Sequence, residues 1–271
     1  MSEREIINRT ELPITIHSIA QDLSRLGVKE GDTVLVHSSL SKLGWVCGGP
    51  QVAVHGLLQA IGTSGTLVMP AQSSDWSDPA EWGNPPVPPE WIEIIYKEWP
   101  PFDPALTPTR GMGRIAEVFR TFPGTLRSQH PQVSFCANGN HARMIIQDHP
   151  LSPQFGVQSP LGKLYDLDAK VLLLGVGYDK CTSFHLSETA LAGMPTKQMG
   201  AAIVEEGKRV WKWFTDFAYD AEDFALIGEQ LEQAVDVQRG KVGIAESRLF
   251  GIRDAVDFAS QWLRVHRKTS T

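Results

Sequence analysis

Short continuous apolar runs alternate with helix-spaced apolar positions along most of this chain. Ile16, Ile19, Ala20, Leu23 and Leu26 recur at helical spacing, and Gly27 suits the position just past a helix C-terminus. The turn Lys29-Glu30-Gly31-Asp32 leads into a predicted strand, TVLV at 33–36. A helix is predicted over about 51–61, with Val54, Leu57, Leu58 and Ile61 inward, followed by a strand, TLVM at 66–69. This strand–loop–helix–strand order is the rhythm of a βαβ unit. Ile115, Val118, Phe119 and Phe122 predict an amphipathic helix ending at Pro123. A strand is expected at 133–137, a turn at Asn138-Gly139, a short helix near 142–147 and a brief one after Ser159-Pro160. Residues 171–174 form another apolar run, closed by Gly175 and Gly177, and read as a strand buried on both faces. Beyond it, residues 201–204 and 209–214 predict a hairpin, with Asp216 just past its second strand. Asp220 is placed to cap a helix bearing Phe224, Ile227 and Leu231, and a last strand (243–250) and helix (252–265) close the pattern.

Residues 71–110 break this rhythm. They hold half of the 18 prolines and half of the 8 tryptophans, namely Trp76, Trp82, Trp91 and Trp99. Disordered tracts are poor in aromatics, so the segment reads as a long ordered binding loop rather than a linker. Its carboxylates, notably Asp75 and Asp78, suit a cationic ligand better than an anion. An ordered surface excursion with solvated acids fits the same residues. With no internal repeat and no linker, residues 1–271 are expected to form one domain.

Composition narrows the function classes. An apolar share of 42% and a charged share of 21% suit a globular protein, and a net charge of −6 leaves no electrostatic footprint for nucleic acid or an anionic membrane. Cys47, Cys136 and Cys181 make neither a disulfide framework nor a zinc-binding CxxC pair. The charged opening MSEREIINRTELP has no apolar core of a signal peptide, so a cytoplasmic location is expected.

Candidate chemistry gathers in three places. In KVLLLGVGYDKCTSFHLSE (170–188) a strand exit is followed by Thr182 or Ser183 as a helix N-cap, and His185 and Glu188 then share one helix face. A core strand with a solvated turn fits these residues, as does an active-site strand of an α/β protein. The loop 37–50 is rich in serine and glycine, and such loops cradle phosphates or thioester-linked cofactors through backbone N–H groups and hydroxyls. It matches neither GxxxxGK[ST] nor GxGxxG, and a plain polar connection fits as well. Arg110-Gly111-Met112-Gly113 offers a guanidinium and bare amides at a positive helix end, able to hold a pyrophosphate or to serve simply as a turn.

Together, VHSSLSKLGWVCGG, LVMPAQSSDWSDPAEWGNPPVP, TPTRGMGRIAEVFR, HPQVSFCANGNHA, SPLGKL and LLLGVGYDKCTSFHLSE resemble, in that order, the aminoglycoside 3-N-acetyltransferase family. The resemblance implies a three-layer α/β/α fold around a mixed central sheet, unlike the commoner acetyltransferase (GNAT) fold. It implies acetyl transfer from acetyl-coenzyme A to the 3-amino group of the 2-deoxystreptamine ring, with a polycationic aminoglycoside as partner and no metal. A homodimer is compatible with it. The family's TS-x-H-x-x-E pattern falls on His185 and Glu188, and its later acid on Asp216. The acyl-donor site falls on His37, Ser38, Ser39, Leu40 and Ser41, with Arg110, Met112, Gly113 and Ser159 nearby. The resemblance also implies Asp75 as the antibiotic-facing acid of the long loop, alongside Glu188 and Asp216. Phe184 and Ser187 depart from the family's usual TSLHxAE, and TDFAYD departs from its DFDT.

A thioester is already activated, so such an enzyme must hold it, take a proton from an ammonium and stabilise an oxyanion. His185 fits the base, with Glu188 or Asp216 as its partner, and the loop 38–41 offers oxyanion donors. Cys181, near a helix N-terminus, is a rival nucleophile for a ping-pong route. A relative acetylating a different amine is an alternative function. A metal hydrolase built on His37, His185 and Glu188 lacks HxH or HExxH spacing.

Overall fold

The computed structural model describes residues 2–267, so Met1 and residues 268–271 of the expected 1–271 domain lie outside it. The chain opens with helices α1 (Glu3–Asn8) and α2 (Ile16–Leu26), strand β1 (Thr33–Ser38), helices α3 (Leu40–Leu43) and α4 (Gly49–Ile61), and strand β2 (Thr66–Pro70). Helices α5 (Ile92–Glu98) and α6 (Gly113–Arg120) come next, then strands β3 (Leu126–Arg127) and β4 (Phe135–Gly139). They lead to α7 (Ala142–Ile146), α8 (Pro160–Asp166), β5 (Lys170–Leu174) and α9 (Phe184–Glu188). A hairpin of β6 (Thr196–Glu205) and β7 (Lys208–Phe217) precedes helix α10 (Phe224–Ala234). A second hairpin, β8 (Gln238–Val242) with β9 (Ala245–Gly251), and helix α11 (Ile252–His266) complete it.

Seven strands form one sheet in the order β3-β4-β2-β1-β5-β9-β8. The central three, β2, β1 and β5, are parallel, and the outer strands run antiparallel to their neighbours, so the sheet is mixed. The central strands carry continuous apolar runs, 34–36, 67–69 and 171–174, because both of their faces are covered. Leu35, Val68, Val171 and Leu173 point into a core shared with α7 to α11. Val34, Val36, Leu67, Met69, Leu172 and Leu174 point the other way, into a core shared with α2, α4 and α6. The fold is therefore three layers, α/β/α. Helix α2 forms where the pattern predicts it, with a Thr15–Ser18 capping box at its start and Gly27 at φ +110° at its end.

Several elements differ from the sequence reading. Asn138-Gly139 is not a turn but the end of β4, paired with Leu67 and Thr66. Glycine is needed there because a Cβ on Gly139 would lie 2.1 Å from the Gly65 carbonyl oxygen. Asp216 lies inside β7 rather than beyond it, facing Lys197 of β6. Asp220 does not cap α10; Asp223 holds that position, and the Asp220 carboxylate accepts instead from the Glu222 N–H. The expected last strand at 243–250 is the second arm of a hairpin whose first arm, QRGKV, is too polar to read as a strand.

The Pro- and Trp-rich segment is ordered against the β6–β7 hairpin. Trp76 and Trp82 pack edge-on against Trp99 at 5.4 and 5.2 Å, and Tyr96 of α5 lies 4.8 Å from Trp211. The Arg209 side chain donates to the carbonyls of Tyr96 and Trp99, and Phe102 N–H donates to the Ala202 carbonyl.

Candidate active site

A cleft of about 780 Å³ opens at the carboxyl ends of β1, β2 and β5, where an open α/β sheet places its ligands. Its lining includes His37, Ser38, Ser39, Leu40 and Ser41 from the exit of β1, Met112 and Gly113 from the start of α6, and His185 from α9. The opening residues of α3, α4 and α6 all line it, so three helix starts, the positive ends of their dipoles, gather around one space. Gly111 and Gly113 hold φ of +74° and +84°, which turns the backbone at the start of α6. Val36, Ala116 and Val176 add an apolar wall. A long ligand with an anionic end and an uncharged arm fits this lining.

The i, i+3 spacing in α9 produces the contact it promised. His185 Nδ1 lies 2.5 Å from Glu188 Oε2, with Glu188 fully buried. A carboxylate only accepts, so Nδ1 carries the proton and Nε2 is the acceptor nitrogen left for the cleft. The other Glu188 oxygen accepts from the Asp220 N–H at 3.0 Å and from the Arg267 guanidinium. Arg267 also donates to Asp223 at 2.6 Å and to the Asp220 carbonyl at 2.6 Å. Burial opposes the charge on Arg267, but its bonds to Asp223 and Glu188 outweigh that and raise its pKa. A fully buried carboxylate with a guanidinium on one oxygen and an imidazole on the other satisfies the pairing that burial demands.

Aromatic rings clamp the imidazole. Phe155 stacks on His185 at 4.7 Å and 9°, Phe224 tilts against it at 4.7 Å, and Tyr219 meets it edge-on at 5.5 Å. Nothing local in the sequence marks Phe155, Tyr219 or Arg267, because elements far apart in the chain bring them together.

Asp216 is elsewhere. It is buried, accepting from Ser152 Oγ and the Gln154 N–H, each at 3.0 Å. Burial raises its pKa despite those bonds and the Phe217 N–H. It fastens the segment that carries Phe155 and does not touch His185, so the imidazole's carboxylate partner is Glu188. Ser159 is fully buried as the N-cap of α8, accepting from the Leu161 N–H, and is not part of the cleft lining. Arg110 lies beside the cleft, its N–H donating to the Gln72 carbonyl and its guanidinium 3.6 Å from Asp75. The second Asp75 oxygen, Oδ1, is buried and has no partner among the described residues. Asp78 is occupied, accepting from the Tyr96 hydroxyl and the Ala80 N–H.

Cys181 is fully buried beside Ser183 Oγ at 3.1 Å, and burial pushes its thiol up to about 12 despite the Ser183 and Phe184 N–H groups. The expectation of an activated thiolate is thus corrected: desolvation outweighs the helix start. Ser183 occupies the N-cap position of α9 without a capping bond, its hydroxyl being turned toward that sulfur. Among the described residues, no group of three or more His, Cys, Asp or Glu is arranged to hold a metal ion, and no helix is long and apolar enough to cross a membrane.

Residues 35–264 match the family described as aminoglycoside 3-N-acetyltransferase. The chain belongs to that family. It is 47% identical over 260 residues to the SPbeta prophage-derived aminoglycoside N(3')-acetyltransferase-like protein YokD of Bacillus subtilis (strain 168), covering 96% of each chain. The crystal structure of YokD superposes with a TM-score of 0.96 at 45% identity, over 99% of this chain and 100% of that one. A binary complex of AAC-IIIb with CoASH is similar at a TM-score of 0.84 and 31% identity, over 96% and 100% of the two chains. Sisomicin-bound AAC-VIa is similar at 0.86 and 30%, over 95% and 100%. This family of acyltransferases accounts for the order of motifs along the chain and for the mixed, three-layer architecture.

Proposed function

We infer that the protein is an acetyl-coenzyme A-dependent N-acetyltransferase acting on the 3-amino group of the 2-deoxystreptamine ring of aminoglycosides, by direct transfer with His185 as general base. The observation that carries this reading is the His185–Glu188 pair, whose imidazole lines the same cleft as the serine-rich exit of β1. The family membership and the CoASH and sisomicin complexes of its structural relatives support it.

Acetyl-coenzyme A supplies an acyl group already activated as a thioester. Residues 38–41 and 111–113, with the helix starts they adjoin, hold its polar parts through backbone N–H groups and hydroxyls. Glu188 fixes the proton on His185 Nδ1, and Phe155 and Phe224 fix the ring plane. His185 Nε2 takes the proton that the attacking amine sheds as its bond to the acyl carbon forms. Glu188 balances the imidazolium that results, and the same proton then leaves with the departing thiol. Asp75, with its unpartnered Oδ1, is the acid that meets a further ammonium of the antibiotic.

Thiol release from acetyl-coenzyme A, measured across a panel of 2-deoxystreptamine aminoglycosides, tests this. Turnover with at least one member, acetylated at the 3-amino group, is the expected result; turnover with none sinks the aminoglycoside assignment. A second acceptor class, a different and less cationic amine metabolite, is favoured by Arg110, which stands 3.6 Å from Asp75 and offsets its charge. Thiol release with simple amines but with no aminoglycoside would select that reading.

A further inference from the structure

A second imidazole serves the cleft. His37 is in β1, paired with Leu173 of β5, and shares a sheet face with Leu35, which is the face covered by α9. It lines the cleft although only 7% exposed, and its Nε2 is buried with no hydrogen-bond partner among the described residues. Leaving a buried polar atom unpaired costs stability, and such atoms in functional clefts are completed by what binds there. The ring's charge state limits what that partner can be. Burial first, and then the proximity of His185, lower the His37 pKa to about 3, so the ring is neutral at any working pH. A neutral imidazole has one N–H and one lone pair. As a base at Nε2 it would have to hold a proton against both burial and His185, which leaves N–H donation as the useful role.

We propose that His37 donates its Nε2–H to the carbonyl oxygen of the acetyl thioester and is the electrophilic counterpart of His185. This rests on the reading of acetyl-coenzyme A as acyl donor. As the amine nitrogen bonds to the acyl carbon, the carbonyl π pair moves onto oxygen and the amine proton moves to His185. When the carbonyl reforms, the carbon–sulfur bond breaks and the thiolate takes that proton. Throughout, His37 keeps its own proton and only strengthens its hydrogen bond to the oxygen. A neutral donor suits this place because a second cation beside the newly formed His185 imidazolium would be repelled.

The test is isotope-edited infrared spectroscopy of the acetyl carbonyl in acetyl-coenzyme A bound to the full-length protein without acceptor, together with kcat and KM from thiol release. With wild-type protein the bound band is expected at lower wavenumber than the free thioester. His37→Ala returns it toward the free position and lowers kcat by about 10²-fold or more with KM for acetyl-coenzyme A changed only a few-fold. His37→Gln, which keeps an N–H at similar reach, recovers a large part of both. A wild-type band at the free position overturns the inference and needs no variant. So does an Ala variant that raises KM with kcat unchanged. Failure of the underlying reading is separate: wild-type protein would then show no bound acetyl band and no thiol release.

Discussion

At the scale of single residues, the decisive asymmetry is between the two nitrogens of His185. Nδ1 is spent on Glu188, so in the proposed mechanism proton transfer falls to Nε2. His185→Ala is expected to lower kcat by about 10²–10⁴-fold in the thiol-release assay, with the thermal midpoint little changed. Glu188→Gln would remove the anion that fixes the tautomer and is expected to cost about 10²-fold or more in kcat. Cys181→Ala, by contrast, should stay within a few-fold of wild type, since its thiol is buried and pushed up to about 12; an inactive but folded variant would restore the ping-pong route. His185 and Glu188 were legible in the sequence because i, i+3 contacts are local. Choosing Glu188 over Asp216 was not, because that depends on where β7 lies.

At the scale of elements, the site is held by segments that never enter the cleft. Ser152 and Gln154 fasten to Asp216 of β7, and the next residue, Phe155, lies flat on the His185 imidazole. Asp216→Ala is expected to lower unfolding free energy by about 2–4 kcal/mol, for hydrogen bonds to a buried charged group. It should also lower kcat by loosening Phe155. Denaturant titration with parallel kinetics checks both, and a stable variant with unaltered kcat would show that the clamp is dispensable. The parallel strands were readable because doubly buried strands are uninterrupted apolar runs. Helix α5 was hidden in a Pro- and Trp-rich stretch, and β8 by its polarity, since long-range packing rather than local pattern decides both.

At the scale of the whole molecule, buried neutral histidines set a pH limit. His149 bridges Ser128 Oγ at 2.9 Å and the Gln154 carbonyl at 2.8 Å, and burial lowers its pKa to about 4; His130, tilted against it at 4.9 Å, is held well below the ordinary histidine value by burial and by His149. In the unfolded chain such rings take up a proton below about pH 6.5, while the folded ones stay neutral. Stability is therefore full above about pH 6.5 and declines as pH falls toward 4, with His149 alone contributing a loss on the order of 2 kcal/mol at pH 5. Urea midpoints measured between pH 7 and 4.5 should show this loss, and His149→Gln should flatten part of it. A midpoint flat across that range would contradict the neutral, buried assignment.

Arg267 adds a consequence in time. It supplies the counter-charge to Glu188 from 79 residues further along the chain, just beyond α11. During synthesis the β1 exit, β5 and α9 all emerge well before it. A nascent protein can thus have its sheet and cleft assembled while Glu188, the partner of His185, still lacks its guanidinium counter-charge. On the proposed mechanism, turnover would then begin only once α11 has docked, and would report a finished fold.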